Sequence, residues 1–305
     1  MVVMIDLEYD YAEALKRQGQ KQADVDALRA IVESYPMVPK SITNKQILLF
    51  LDSCGGVEQG ARVMKIFYKI KKNSPEHFSN RDPEMPKIQH CFKYQDYFYL
   101  PNTPNGDCLI FHRLKTSRSG AYNFDDAIKT FFMTIESCLQ HDGPRDGAVF
   151  LFDMNNVGLM HLTRVNLSSI KKFFAYLQEG VPGKLRAIHV LNVVYFFDKI
   201  LAMIKPFMKA EILKCLHLHN SGLDYEKFYK DHIPKSCLPS DFGGDLESVD
   251  VLHEKHCKEL MRLRNYFVAE EQQAALKFDV SDKSSLQTEL ISESDRGLKN
   301  LTLSD

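Results

Sequence analysis

The chain has 305 residues, 44% hydrophobic and 26% charged, which suits one large domain and a small one. Its net charge of −1 speaks against a general nucleic-acid binder, since no excess of Lys and Arg exists to neutralise phosphates. Seven cysteines stand singly, without a C-x-x-C pair, as expected of a reducing, cytoplasmic setting.

The opening MVVMIDLEYD lacks the basic start of a secretory leader, and no apolar run approaches the ~20 residues that span a bilayer. A soluble protein with at most transient, peripheral membrane contact is expected. Residues 22–34 predict a helix with Val25, Leu28, Ile31 and Val32 on one face. Thr43 is placed to cap a second helix, which Gly55 and Gly56 end, and a third runs from Val57 to Lys72. Together they predict a small helical bundle over residues 1–78. Prolines 75, 83, 86, 101 and 104 then suggest a loose connection, with the domain boundary near residues 74–90.

From residue 88 to 247 the pattern alternates. Asp107 to Leu114 reads as a strand, Phe124 to Leu139 as a helix, Gly147 to Asp153 as a strand and Leu167 to Gln178 as a helix. Such alternation predicts an α/β domain with a mainly parallel sheet and right-handed crossovers. An amphipathic helix through Val251, Leu252, Leu260, Leu263 and Phe267 is expected within 248–278 to pack on that body. Past residue 279 six acids face three bases among Ser and Thr, the composition of a solvated tail.

The stretch from Lys184 to His219 carries the most information. Leu185 to Val190 has no clean polar face, which suits a strand covered on both sides. From Tyr195 the period turns helical, and Phe196, Phe197, Ile200, Leu201, Met203, Ile204, Phe207 and Met208 fall on an arc of roughly 180°. Pro206 has no amide to donate, so two short helices should meet at Lys205 and Pro206. So much apolar surface fits either a central helix buried on two sides or a lid over a greasy cavity.

Here RAIHVLN, MIKPF, LHLH and LPSDFGG (Leu238 to Gly244), in that order, resemble the CRAL-TRIO (Sec14-like) lipid-binding family, nearest its tocopherol- and retinaldehyde-transfer branch. The resemblance spans about residues 24–262. It implies one hydrophobic ligand held in an α/β domain beneath a mobile helical gate running from Phe196 to about Leu216. It further implies Thr130 and Thr134 as polar pocket positions. Phe173, Leu177, Val181, Ile188, Phe196, Ile200, Ile204 and Phe207 would line it, with Phe152, Met154 and Leu191 as further strand candidates. Lys184 and Arg186 match basic positions that bind phosphoinositide headgroups. The chain departs from that pattern at Asp52 and Glu211, which reverse charge, and at Val194, where a proline is usual.

No cofactor and no catalytic residue are expected, for G-x-S-x-G, P-loop, G-x-G-x-x-G and H-E-x-x-H signatures are all missing. His253, His256 and Cys257 read more simply as a solvated helix face than as metal ligands, and His217 and His219 as neighbours on an extended segment. Asp153 and His189 read as a hydrogen-bonded structural pair. The leading expectation is a carrier of a tocopherol-, retinoid- or carotenoid-like molecule or a phospholipid. Its alternative is a non-carrier module that binds a signalling protein or a phosphoinositide membrane.

Overall fold

In the computed structural model, which describes residues 4–17, 19–51, 54–145 and 147–275, four helices come first. They are α1 (Tyr11–Arg17), α2 (Gln22–Val32), α3 (Asn44–Leu51) and α4 (Val57–Asn73). The apolar face read from α2 is buried at Val25, Leu28 and Val32, in one cluster with Leu48, Leu51 and Met64. Thr43 caps α3 as expected: its hydroxyl accepts from the Gln46 amide while Gln46 Oε1 accepts from the Thr43 amide at 3.1 Å.

The loose proline-rich connection is not what forms. Pro75 opens α5 (Pro75–Phe78) and Pro86 opens α6 (Pro86–Tyr94), each at a first helical position where a missing N–H costs nothing. Helix α6 runs straight into β1 (Gln95–Leu100), a strand the sequence pattern does not announce because both of its faces are buried.

Strands β1, β2 (Cys108–Leu114), β3 (Ala148–Asp153), β4 (Leu185–Leu191) and β5 (Leu216–Leu218) lie side by side in chain order. The β1–β2 pair is antiparallel and the rest are parallel. Right-handed crossovers that always step the same way put every connecting helix on one face. Accordingly α7 (Phe124–Asp142), α8 (Leu167–Ala175), α9 (Phe197–Ile204) and α10 (Ala210–Lys214) all stand between successive parallel strands. That face carries Ile110, Phe150 and Ile188 in one core with Phe131, Phe174 and Phe197. The other face presents Phe98, Phe111, Leu151 and Leu191 and is closed by α11 (Tyr225–Asp231) and the loop bearing Leu238 and Phe242.

The single C-terminal helix expected is two, α12 (Val249–Arg262) and α13 (Arg264–Ala275), with the break at Leu263. The bend lets Leu260, Leu263 and Phe267 bury together against Ile88, Phe92 and Met133, while Val251 of the expected apolar face is exposed. Helix α13 also fastens the bundle to the α/β body through a buried ion network. Lys71 Nζ lies 2.9 Å and Arg81 Nη1 2.7 Å from the two Glu136 oxygens, and both cations reach Glu270 as well. Burial alone would raise the Glu136 carboxyl, yet Arg81 and Lys71 hold it below its ordinary value. The acidic tail from residue 279 and Asp52 lie outside the described residues.

Candidate functional site

Strand β4 delivers the chain to the site and Asn192 turns it. Asn192 adopts a left-handed φ of 52°, which its short amide side chain tolerates, and its Nδ2 donates to Asp153 Oδ1 at the end of β3 (2.8 Å). The helix expected from Tyr195 starts at Phe197, because Tyr195 and Phe196 form the preceding turn. It stops at Ile204, and Lys205–Phe207 make one 3-10 turn around Pro206, so the break falls where the missing amide puts it. Ile200, Leu201, Ile204 and Phe207 pack partly buried on the core, while Asp198, Lys199, Lys205 and Lys209 face solvent. The segment is thus a two-part amphipathic flap held at both ends by neighbouring strands of the sheet.

A clasp closes the flap against α8. That helix ends in a wide π turn, Tyr176–Gly180, which buries Tyr176 and swings Gln178 toward the flap. Gln178 Nε2 donates to the Phe207 carbonyl (3.0 Å), and Gln178 Oε1 accepts from the Lys209 amide (2.6 Å). Lys209 Nζ adds an exposed ion pair with Glu179 at 2.8 Å.

Most of the apolar residues named from the resemblance meet on this face. Phe152, Phe173, Leu177, Val181, Ile188, Ile200, Ile204 and Phe207 all belong to the core beneath and within the flap, as does Met154. Phe196 is buried but its ring lies edge-on to exposed Tyr195 (5.1 Å), and Phe197 is the aromatic of the pair that enters the core. Leu191 sits on the opposite face of the sheet.

Thr130 and Thr134 need correction as polar pocket positions. The Thr130 hydroxyl donates to the Asp126 carbonyl (2.9 Å), and that of Thr134 lies 3.1 Å from the Thr130 carbonyl and 3.0 Å from His256 Nε2 of α12. Thr134 thus turns toward α12, while the Thr130 hydroxyl bonds back to its own helix. Phe131 and Ile135, one residue on and so about 100° further round α7, enter the core against the sheet. The spacing of Ile128, Phe131, Phe132 and Ile135 was the legible signal.

Two small voids open on the α7 side of the sheet. One of about 30 Å³ lies among Cys108, Cys138, Phe150, Leu177 and Val181. The other, of about 90 Å³, lies among Tyr97, His112, Phe131, Phe152 and Phe173. Phe131 and Phe150, 5.2 Å apart and edge to face, stand between them. Either void is well below the roughly 300–1,000 Å³ of a small-molecule pocket, so neither holds a lipid unless the aromatic side chains around it move aside.

The polar residues have other assignments. Lys184 and Arg186 are exposed at the amino end of β4, beside Cys215, whose Sγ is 3.7 Å from the Leu185 carbonyl; they flank the flap's exit, not its entry. Arg186 also pairs with Asp107 (3.5 Å). Glu211 is exposed on α10. His253 and His256 are buried, not solvated. His253 Nε2 donates to the Phe92 carbonyl (2.9 Å), and its Nδ1 accepts from the Tyr97 amide (3.1 Å). Asp153 and His189 do not bond each other. Asp153 accepts from Asn155 and Asn192, whereas His189 Nδ1 lies 3.0 Å from His219 Nε2 in a cluster with His217 and His232. Among the described residues no three His, Cys, Asp or Glu side chains converge as metal ligands, and no helix is long and apolar enough to cross a membrane.

Comparison with known proteins agrees with this geometry. Residues 93–244 match the family described as "CRAL/TRIO domain", and residues 17–88 match "Pinta-like, UBA domain". The chain belongs to the CRAL-TRIO (Sec14-like) family. It is 28% identical over 231 residues to "Alpha-tocopherol transfer protein-like" of Homo sapiens, covering 74% of this chain and 66% of that relative. It is 24% identical over 132 residues to "Clavesin-1" of Xenopus laevis, covering 42% of this chain and 38% of that relative. Thus the chain spans a little under two thirds of the length of the first of these relatives. Among solved structures, that titled "Crystal structure of Sfh5" has the same fold, with a TM-score of 0.51 and 12% identity over 81% of this chain and 93% of that one.

Proposed function

We propose that this protein binds one small hydrophobic ligand between the α7 side of its sheet and the flap, and releases it at membranes without chemical change. The observation that carries the reading is the flap itself: an amphipathic segment, hinged at Asn192 and Pro206, whose apolar side is only partly buried on an aromatic core. In water that side must close on the protein, and at a membrane it has an alternative apolar surrounding. The relatives named for tocopherol transfer support the same reading. On it, Lys184 and Arg186 attract an anionic lipid headgroup near the flap's exit, with Asp107 as the competitor that holds Arg186 meanwhile.

Native mass spectrometry of protein purified from cells and then mixed with lipid vesicles tests this. One bound lipid per chain is expected; no bound lipid under either condition overturns it. The small size of the two voids favours a second reading, a filled domain that binds another protein or a phosphoinositide surface. That reading requires the same experiment to return an empty chain.

A further inference from the structure

The flap is held differently at its two ends. At the near end Asn192 Nδ2 donates to Asp153 Oδ1 of β3. At the far end the chain returns as β5, the last strand of the sheet and three residues long. Three backbone bonds join it to β4: the Ile188 amide to the Cys215 carbonyl (2.7 Å), the His219 amide to that of Val190 (2.9 Å) and the Val193 amide to that of His219 (3.1 Å). So short an edge strand depends on the side chains that cross the pair.

Those side chains are imidazoles. His189 of β4 stands opposite His217 of β5, His219 follows two residues on, and His232 covers them from the end of α11. Each ring centroid lies 4.9–5.4 Å from at least two of the others. His189 is buried, beside Leu151 of β3 and Phe228 of α11; His217 and His219 are half-buried and His232 is exposed, so protons reach the group from one side.

The 3.0 Å contact between His189 Nδ1 and His219 Nε2 holds one proton, donated by one ring and accepted by the other. One added charge leaves that bond in place. A second sets N–H against N–H and cation against cation, where little water screens them. Among the described residues, burial and the other imidazoles act on His189 and His219, all against the charged form, while Lys227 and Asp231 of α11 act on His232 with opposite signs.

We propose that the four histidines form an acid-operated latch: at neutral pH they fasten β5 to β4, and protonation of two or more rings parts the strands and frees the far end of the flap. The latch belongs to the chain with or without a guest. Its use, to let a hydrophobic ligand go where the surroundings acidify, rests on the carrier reading. The direction follows from where protons bind. A ring that regains its ordinary affinity, near pH ~6.5, only when the strands part favours the parted form below that pH, on the order of 25-fold per ring between pH 7 and 5. The bonds of Asn192 and Gln178 contain no imidazole, so opening starts from β5.

Amide hydrogen exchange of the full chain at pH 7, 6 and 5, corrected for the intrinsic effect of pH on exchange, reads the latch directly. Exchange at Val193 and His219 should rise by about 25-fold or more from pH 7 to 5, and more than at Val25 and Leu28 of the bundle, which report global unfolding. The double variant His189→Gln, His219→Gln should lose most of that rise. Should it fail to fold, His232→Gln, at an exposed site, decides: removing one repelling ring should move the onset to lower pH, and an unchanged onset counts against the latch. Exchange at β5 that ignores pH, or that rises only in step with the bundle, overturns it. Native mass spectrometry of the same protein as purified, after mixing with phosphatidylcholine vesicles at pH 7 and 5, separates the two readings. An opening β5 in a chain that never carries lipid leaves the latch standing and sinks the carrier; bound lipid under a β5 that stays closed does the reverse.

Discussion

His189 Nδ1 lies 3.0 Å from His219 Nε2, and this contact joins the strand that enters the flap to the segment that leaves it. The two rings stack, His217 stacks on His189 from the same strand pair, and His232 closes the group from the end of α11 beside Phe228. Burial first, and then the neighbouring imidazoles, push the His189 pKa down to about 3 and that of His219 to about 4; His232 is lowered too, with Lys227 lowering and Asp231 raising it.

A pH dependence follows from these directions. A histidine lowered in the folded state stabilises fully above its ordinary value near ~6.5, and the contribution is lost as pH falls toward the folded value. His189 alone would lose on the order of 2 kcal/mol by pH 5. The unfolding midpoint should therefore drop between pH 6.5 and 5, before most carboxylates protonate, and His189→Gln should flatten that drop. A midpoint constant across this window would contradict the account of the cluster.

The ion network of Lys71, Arg81, Glu136 and Glu270 predicts a large one-sided effect. Glu136→Ala leaves two buried cations sharing one carboxylate and should cost roughly 3–5 kcal/mol, measured by urea unfolding. Replacing the exposed Glu254, paired with Lys258 at 2.7 Å on the surface of α12, should leave the urea midpoint essentially where it is, because water screens that pair.

Two substitutions at the flap should act in opposite directions. Gln178→Ala removes both hydrogen bonds of the clasp and should raise vesicle-to-vesicle transfer by up to about tenfold, at roughly 1 kcal/mol per bond or less. Phe207→Asp puts a charge on the apolar side and should slow transfer severalfold with the circular dichroism spectrum unchanged. Transfer rates that ignore both changes would remove the flap's assigned role.

The paired glycines of LPSDFGG are not equivalent. A Cβ on Gly244 would stand 2.0 Å from the Leu238 carbonyl oxygen, which is already fixed by the Leu246 amide at 3.0 Å. Gly243 has a φ of 70°, and its Cβ would meet only the end of the Tyr229 side chain. Gly244→Ala should thus cost several kcal/mol, in the range of buried steric conflict, and Gly243→Ala about 1–2 kcal/mol for the left-handed backbone. Thermal unfolding of the two variants checks the order.

Several elements were legible because their signal is local. Thr43 with Gln46 marks a helix start, Pro206 a helix stop, and the change of period at Asn192 a turn that the structure makes with a left-handed residue. Strand β1 and helix α6 were hidden, since prolines that open helices look the same in sequence as prolines that break them. The bend at Leu263 has no Gly or Pro to announce it and follows from what the two helices pack against.

The sequence by itself determined the alternation of strand and helix, the helical bundle before it, the apolar flap and where that flap breaks, because periodicity and proline chemistry act within a few residues. Only the tertiary structure decided that Thr134 turns toward His256 of α12 and that Phe131 and Ile135 face the sheet. A one-residue shift rotates a side chain by about 100° on a helix and flips it across a strand, so the burial that selects one side comes from distant neighbours. Four histidines spread from 189 to 232 meet only because β5 returns alongside β4, a fact of topology that no local pattern contains.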